Sequence, residues 1–194
     1  MKYILIIITF FVISCKAQVV SLETMAQCQQ ENPPFPCPDN FTYVKDINNS
    51  LNKYAGIWKG LHDGKIYEIK LIKKENVDVD GIVKDDRLIG RLRITTIGNS
   101  PITIFDNFNE LDDSMTNFGG LGFQKDLNYY KLAFLGSFTD VCLNSGTIYI
   151  NVKPNQPNQM ELFYLLDTDF YTKECPPTFQ TTIPEKQNIY LTKQ

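Results

Sequence analysis

Few side chains in this chain of 194 residues could carry out catalysis. His62 is the only histidine, and it stands in His62-Asp63-Gly64, a sequence typical of a turn between two strands. A catalytic triad or a metal pair built on histidine needs partners that a lone histidine in a turn does not supply. Serine, threonine and carboxylate side chains are present, but no nucleophile motif such as Gly-x-Ser-x-Gly selects one of them. The sequence therefore predicts a protein that is not an enzyme.

Two further stretches imitate ligand-binding loops. Residues 76–81 carry oxygen-bearing side chains at alternate positions, as a calcium-binding loop does at its start, but Arg87 stands where that loop needs a bidentate glutamate. An edge strand that runs into an Asp80-Gly81 turn explains the same residues. The stretch Phe118–Phe123 is rich in glycine but lacks the Gly-Lys-Ser/Thr ending of a phosphate-binding loop. We expect no metal and no cofactor, and we interpret the glycine-rich stretch as a mobile loop between strands.

The chain has five cysteines. Cys15 ends the apolar N-terminal run and is treated with it. The other four cysteines form an even set, as expected in a compartment that permits disulfides. Four cysteines allow three pairings, and the favoured one joins Cys28 to Cys37 across a proline-rich loop and Cys142 to Cys175 between two loops of the main domain. Their spacing does not favour a metal site.

The N-terminal segment, residues 1–14, is predicted to be a signal peptide. Lys2 gives it a positive start, and the apolar run that follows, residues 3–13, is too short to span a hydrocarbon core of roughly 30 Å. The run ends in Val-Ile-Ser-Cys, which resembles the bacterial lipobox, whose cysteine is lipidated and becomes the first residue of the mature protein. The resemblance implies a lipid anchor on Cys15. An ordinary secretory signal peptide is the alternative.

Charge and the residues after Cys15 indicate where the protein lies. Position 16 is Lys and not Asp, which in lipoprotein sorting favours the outer membrane, and no acidic run follows as in surface-displayed lipoproteins of Bacteroidota, so a periplasm-facing position is expected. The net charge is −3, and the basic residues are scattered among acidic ones, so nucleic acid is not an expected partner. The expected partners are the membrane, through the lipid, and a small hydrophobic ligand or another envelope protein.

The rest of the chain divides into a tether and a domain. Residues 15–50 contain a short helix that Ser21 could cap and a proline-rich loop, and we expect them to form a tether and a lid outside the core. Residues 51–194 show short apolar runs separated by turn signals, typical of an all-β domain. Besides the strand around Trp58, the predicted strands are residues 65–74, 87–96, 101–105, 129–138, 146–153, 160–166 and 188–193. They predict an antiparallel up-and-down barrel of about eight or nine strands, or alternatively a β-sandwich.

Gly56-Ile57-Trp58, at the start of the first of these strands, is similar to the Gly-x-Trp signature of the calycins, which include lipocalins and avidins. The resemblance implies a calycin-like barrel whose closed end is covered by the tryptophan and whose open end binds a small hydrophobic ligand. Lipocalins add an arginine near the last strand that stacks on the tryptophan, and here that strand offers Lys193. The tentative ligand-binding residues, with the two phenylalanines placed on a flexible rim at the cavity mouth, are Trp58, Tyr67, Phe118 and Phe123.

A larger part of the chain, from the lipobox through residues 51–60 into residues 65–74, resembles a family of small Bacteroidota lipoproteins with a domain of unknown function. That family carries no activity to transfer, so two functions stay open. A lipocalin-like lipoprotein would bind a small hydrophobic ligand inside the barrel. Because a barrel of about eight strands can be just filled by its own side chains, the alternative is a filled barrel that acts as an interaction or structural protein of the envelope.

Overall fold

A computed structural model describes residues 18–78, 81–138, 143–167 and 179–194 of the chain. Strands dominate, with one short α-helix and one turn of 3-10 helix, Asp113–Met115, among these residues. The other elements are β1 (Val19–Ser21), α1 (Leu22–Gln27), β2 (Tyr43–Lys45), β3 (Gly56–His62), β4 (Lys65–Asp78), β5 (Lys84–Thr96), β6 (Thr103–Asp106), β7 (Phe118–Phe123), β8 (Tyr130–Phe138), β9 (Leu143–Asn151), β10 (Gln159–Leu166) and β11 (Asn188–Lys193). None of the helices in the described ranges has the length and hydrophobicity of a membrane span.

Eight of the strands close into an antiparallel barrel. They follow in the order β5-β4-β3-β11-β10-β9-β8-β7, and β7 pairs back onto β5 where Phe118 lies opposite Gly90. The predicted fold class, an all-β barrel of calycin-like architecture, is therefore confirmed. The sandwich alternative is wrong, because the sheet closes on itself instead of facing a second sheet.

One edge of β5 has different partners along its length. β2 pairs in parallel with its start, at Lys84 and Asp85, β7 pairs with its middle, and β6 pairs with its end, from Arg93 to Thr95. β1 in turn pairs in parallel with β2. The N-terminal strands thus extend the barrel wall at the place where the barrel closes.

The first hairpin of the barrel forms as predicted. β3 and β4 pair along the whole of β3, and Asp63 and Gly64 form the turn with positive φ values of 45° and 71°. Such left-handed conformations suit the short turns that match the twist of a hairpin. The predicted alternation on β4 is also confirmed, since the side chains that point into the barrel and are buried there are Tyr67, Ile69 and Leu71.

The glycine-rich stretch is a strand, so its interpretation as a mobile loop is wrong. It forms β7, which pairs with β8 and in one place with β5. The glycines hide the alternation that marks a strand, and one of them is required by space. A Cβ on Gly120 would overlap the hydroxyl of Tyr130 and lie 2.8 Å from the Cβ of Arg87. The wall is packed so closely here that only glycine fits.

The N-terminal segment folds against the barrel. Ser21 caps α1 as predicted, because its hydroxyl accepts a hydrogen bond of 3.0 Å from the backbone N–H of Thr24. Leu22 and Ala26 of this helix are buried in the same cluster as the barrel interior. The expectation that the segment lies outside the core is therefore wrong for these two residues.

The cysteines divide into those that the structure describes and those that it does not. Cys28 and Cys37 form the predicted disulfide, which closes the loop after α1. Cys142, Cys175 and Cys15 lie outside the described residues, as does the predicted signal peptide.

The two ends of the barrel differ in how they are covered. At the first, which we call the helix end, α1 and the loop of residues 46–55 lie over the interior, and Leu51 and Tyr54 of that loop are fully buried. At the second, the hairpin end, lie the β3–β4 turn and the β5–β6 loop. The interior is therefore covered at the helix end.

Candidate functional site

Trp58 closes the barrel at the helix end, where the Gly-x-Trp resemblance places it. Its side chain is fully buried, and its indole Nε1–H donates a hydrogen bond of 2.7 Å to the carbonyl of Tyr54. The Nζ of Lys193, on the last strand, lies 5.2 Å from the centre of the indole ring. This distance is within the range of a cation–π interaction, so the last strand packs a cation on the indole.

Aromatic rings fill the interior beyond Trp58. The ring of Phe134 lies 5.3 Å from that of Phe118 and 5.6 Å from that of Tyr164, and Phe123 packs edge-on against Tyr130 at 5.1 Å. All of these side chains are at most 4% exposed. Phe118 and Phe123 therefore belong to the packed interior, and their expected position on a flexible rim is wrong.

Tyr67 is buried in the interior near the hairpin end. Its hydroxyl has no hydrogen-bond partner among the described residues, and its ring lies edge-on to that of His62 at 6.5 Å. Burial and the nearby carboxylate of Asp63 raise the pKa of Tyr67 to about 12, so the hydroxyl keeps its proton. A buried hydroxyl without a partner is costly. A water or a polar group of a ligand would therefore be stabilised at this point of the interior.

His62 itself lies at the hairpin end with neighbours of its own. Its Nε2 is 2.8 Å from the amide oxygen of Gln187 and 3.4 Å from the carboxylate of Asp63. Within the described ranges no group of three or more His, Cys, Asp or Glu side chains is placed to hold a metal ion.

A groove of about 410 Å³ lies on the outside of the barrel, across β8, β9 and β10. We call it the outer-wall groove. Phe163 of β10 is the cross-strand neighbour of Tyr149 of β9, with ring centres 6.4 Å apart, and Tyr129 lies at the same distance on the other side of Tyr149. Leu165 completes the apolar lining. The rings are held on paired strands, so their positions are fixed by the barrel.

The polar lining of the groove consists of Gln124, Glu161 and Asn188. Among the described residues, none of these side chains has a hydrogen-bond or ion-pair partner. Burial raises the pKa of the Tyr129 hydroxyl, and the negative charge of Glu161 adds to the shift, so tyrosine and carboxylate face the same space. The groove thus combines aromatic rings with free amide and carboxylate groups, as small-molecule sites do.

The groove is not evident from the sequence, although the strands that build it are. Tyr149 and Phe163 occupy outward positions of strands whose inward positions carry the core. Two large aromatic residues on an outer face are a signal that the sequence contains. Their meeting depends on the pairing of β9 with β10, which alternation alone does not give.

Comparison with known proteins gives a family but no characterised relative. A family model, described as a family of unknown function and designated DUF6705, matches residues 1–194. A search of the curated proteins and a search of the solved structures found no match.

Proposed function

This chain belongs to DUF6705, a family of unknown function, and we propose that it is a binding protein of the bacterial cell envelope whose ligand docks in the outer-wall groove. The sequence supports the membrane location, and the fold supports the binding site. The lipobox-like Val-Ile-Ser-Cys supports lipid anchoring through Cys15, and Lys16 supports the outer membrane.

The observation that carries the proposed site is the contrast between the two sides of the barrel wall. Inside, Trp58, Phe118 and Phe134 are at most 2% exposed, and the rings of Phe118 and Phe134 lie against each other. Outside, Tyr149 and Phe163 line a groove of about 410 Å³, which is within the range of roughly 300–1,000 Å³ typical of small-molecule sites. Space and unpaired polar groups meet on the outside, so binding is proposed there.

A role without catalysis rests on the sequence. His62 is the only histidine, and it is engaged with Gln187 and Asp63 in a turn. Among the described residues that line it, the outer-wall groove has one carboxylate, and the Tyr129 hydroxyl beside it has a raised pKa that disfavours proton exchange at neutral pH. Binding without turnover is the function that such a groove supports best.

The experiment is chemical-shift mapping with small organic molecules, which bind in pockets whatever the natural ligand of the pocket is. The mature chain with the substitution Cys15→Ala, which carries no lipid and needs no detergent, is labelled with ¹⁵N and titrated with phenol and with isopropanol. We expect saturable shifts at the amides of Tyr149, Glu161 and Phe163, with no movement of the indole N–H of Trp58. Absence of any saturable shift would contradict the proposal.

A second candidate function is binding of a small hydrophobic ligand inside the barrel, as in lipocalins. The observation that favours it is the buried hydroxyl of Tyr67, which lacks a partner among the described residues and lies at the hairpin end. The same titration separates the two candidates. Shifts confined to Tyr67 and to the indole of Trp58 would favour the interior and contradict the outer-wall groove.

A further inference from the structure

We propose that the ligand of the outer-wall groove is an uncharged oligosaccharide, with a sugar ring lying on the aromatic side and its hydroxyls bonded to the polar side. This inference rests on the proposed function, because it names the class of ligand for the same groove. Three properties of the groove support it: the rings, the polar groups and the charge.

The aromatic side consists of three rings that line the groove. The planes of Tyr149 and Phe163 are tilted by 55°, and those of Tyr129 and Tyr149 by 84°, so the rings are not stacked in parallel. An aromatic face carries negative charge density. The C–H bonds on one face of a sugar ring are weakly positive, because each carbon bears an oxygen, and they are therefore attracted to such a surface.

The polar side suits hydroxyl groups. Gln124 and Asn188 each offer an amide that can donate and accept, and Glu161 offers a carboxylate that only accepts. A sugar hydroxyl can do both, so it satisfies either kind of partner. The side chains are also free, because among the described residues none of them is committed to another hydrogen bond. A purely apolar ligand such as an acyl chain would leave all three without partners, at a cost.

The charge of the groove excludes acidic ligands. Glu161 is the acidic residue of its lining, and among the described residues no lysine or arginine lines the groove, the nearest one by strand pairing being Lys131, opposite Tyr149 on β8. A phosphate, a sulfate or a uronic acid would face this carboxylate inside the groove, which is unfavourable in a partly desolvated site. The neutral members of the sugar class are the ones that fit.

The position of the groove fits an extended chain of sugars. It crosses neighbouring strands on the outside of the barrel, with Gln124 after β7 at one side and Asn188 of β11 at the other. An oligosaccharide can lie along such an open surface with neighbouring units reaching beyond the groove. We therefore use hexasaccharides as probes.

The experiment is isothermal titration calorimetry of the Cys15→Ala mature chain with cellohexaose and chitohexaose, and with hexagalacturonate as the acidic counterpart. We expect saturable binding of at least one of the two neutral hexasaccharides and none of hexagalacturonate. Phe163→Ala removes one ring from the groove and should weaken binding about tenfold. The matched control is Phe108→Ala, which removes a half-buried phenylalanine from another part of the wall, where it lies over Lys70 and Arg93, and should leave binding unchanged.

Glu161→Gln tests the charge argument and keeps the shape of the side chain. It should raise the affinity for hexagalacturonate relative to the neutral sugars, because the repulsive carboxylate is gone. Glu161→Gln also tests the inference if Phe163→Ala does not fold. The inference is overturned if neither neutral hexasaccharide binds, if Phe108→Ala weakens binding as much as Phe163→Ala, or if the unmodified groove prefers hexagalacturonate. If phenol still maps to Phe163 while no sugar binds, the ligand class is wrong and the proposed binding role stands.

Discussion

At the scale of single residues, Trp58 is held from two directions by parts of the chain that are far apart in sequence. The carbonyl of Tyr54 accepts the indole N–H at 2.7 Å, and the ammonium group of Lys193 lies 5.2 Å from the ring centre. The loop before β3 and the last strand are thereby tied to the same side chain. The final residues of the chain should therefore contribute to closing the barrel at the helix end.

Replacing Lys193 tests this closure. We expect Lys193→Met to lower the free energy of unfolding by about 0.5–2 kcal/mol, because the cation over a buried indole is lost while most of the aliphatic stem remains. Lys193→Arg should stay within about 0.5 kcal/mol of the parent chain, since a guanidinium also stacks on tryptophan. Urea unfolding followed by the fluorescence of Trp58 measures both variants.

The control for Lys193 is Lys59, which points outward from β3 and is paired with Glu68 at the surface. Lys59→Met should change the unfolding free energy by less than about 0.5 kcal/mol, because exposed ion pairs contribute little. Equal losses for the two methionine variants would refute the role given to Lys193.

Asp86 is the second residue that holds the helix end together. Its carboxylate accepts hydrogen bonds from the hydroxyl of Tyr43 at 2.5 Å and from the backbone N–H groups of Asp46 and Asn76, both at 2.9 Å. Burial alone would raise the pKa of Asp86. The three hydrogen bonds and the charge of Lys73 outweigh it and hold the pKa below its ordinary value. A single ionised carboxylate thus joins β2, the loop after it, β4 and β5.

This depressed pKa predicts a loss of stability in acid. A group whose pKa is lower in the folded state stabilises the fold above its unfolded pKa of about 3.9, and the stabilisation is lost as the pH falls through the folded pKa. Asp86→Asn should lower the free energy of unfolding at pH 7 by about 1–3 kcal/mol, because a charged hydrogen-bond acceptor is removed. It should also flatten the decline in stability below about pH 4. Urea titrations at pH 7 and pH 3 measure both effects.

The matched control for Asp86 is Asp39→Asn, at an exposed position two residues after Cys37. It removes the same charge from the chain without touching the hydrogen bonds at the helix end. A decline below pH 4 that is as steep in Asp86→Asn as in Asp39→Asn would show that other carboxylates account for the acid sensitivity.

At the scale of elements, β7 depends on one glycine much more than on the next. A Cβ at Gly120 would overlap the Tyr130 hydroxyl, whereas no atom lies within 4 Å of the corresponding point at Gly119. Gly120→Ala should therefore cost about 1–3 kcal/mol, as overpacking does. Gly119→Ala should be neutral or stabilise by up to about 1 kcal/mol, through the unfolded chain. Thermal unfolding of the two variants, whose chemical change is identical, measures the difference.

A double variant checks the cause of the Gly120 effect. Tyr130→Phe removes the hydroxyl that the new methyl group would meet, although it also removes the acceptor for the N–H of Leu88 at 3.3 Å. If the overlap is the cause, Gly120→Ala should cost less in the Tyr130→Phe background than alone. The same cost in both backgrounds would point to Arg87 or to the backbone instead.

The elements that can be predicted well from the sequence are those whose side-chain pattern follows the backbone conformation. β11 was placed at Asn188–Lys193 without error, and β4 was recognised from Tyr67, Ile69 and Leu71, because these strands alternate between buried and outward residues. β7 was missed because glycine has no side chain to show alternation. The helix α1 was predicted from its cap, but its burial was not, because Leu22 and Ala26 pack against residues distant in sequence.

The candidate site was less predictable than the fold for the same reason. The residues chosen from the sequence, such as Trp58 and Tyr67, are large and fall on strong strands, and the structure buries them. The outer-wall groove instead arises where Tyr149 and Phe163 meet through the register of β9 and β10. The register of these two strands depends on the geometry of the loop that joins them as well as on the hydrophobic pattern, and the alternation in each strand does not contain that geometry.

At the scale of the whole molecule, the fold limits how far the barrel can lie from a membrane if Cys15 carries lipid. β1 begins at Val19 and pairs with β2, which is part of the barrel wall. An extended chain from Cys15 to Val19 reaches at most about 14 Å. The barrel would therefore sit close to the bilayer surface with β1 and α1 nearest to it, and not at the end of a long tether.

Replacing Cys15 tests the anchor on which this arrangement depends. In a bacterium with two membranes, the parent chain should incorporate labelled palmitate and sediment with outer-membrane vesicles, because several acyl chains at about 0.8 kcal/mol per buried CH₂ hold a protein in the bilayer. Cys15→Ala should lose the label and move to the soluble periplasmic fraction, while Cys28→Ala, which removes a different cysteine, should keep both label and membrane. Lys16→Asp should shift the lipidated protein to the inner membrane if the sorting interpretation is correct. Retention of Cys15→Ala in the membrane pellet would contradict the lipid anchor and remove the reason for placing the helix end beside the bilayer.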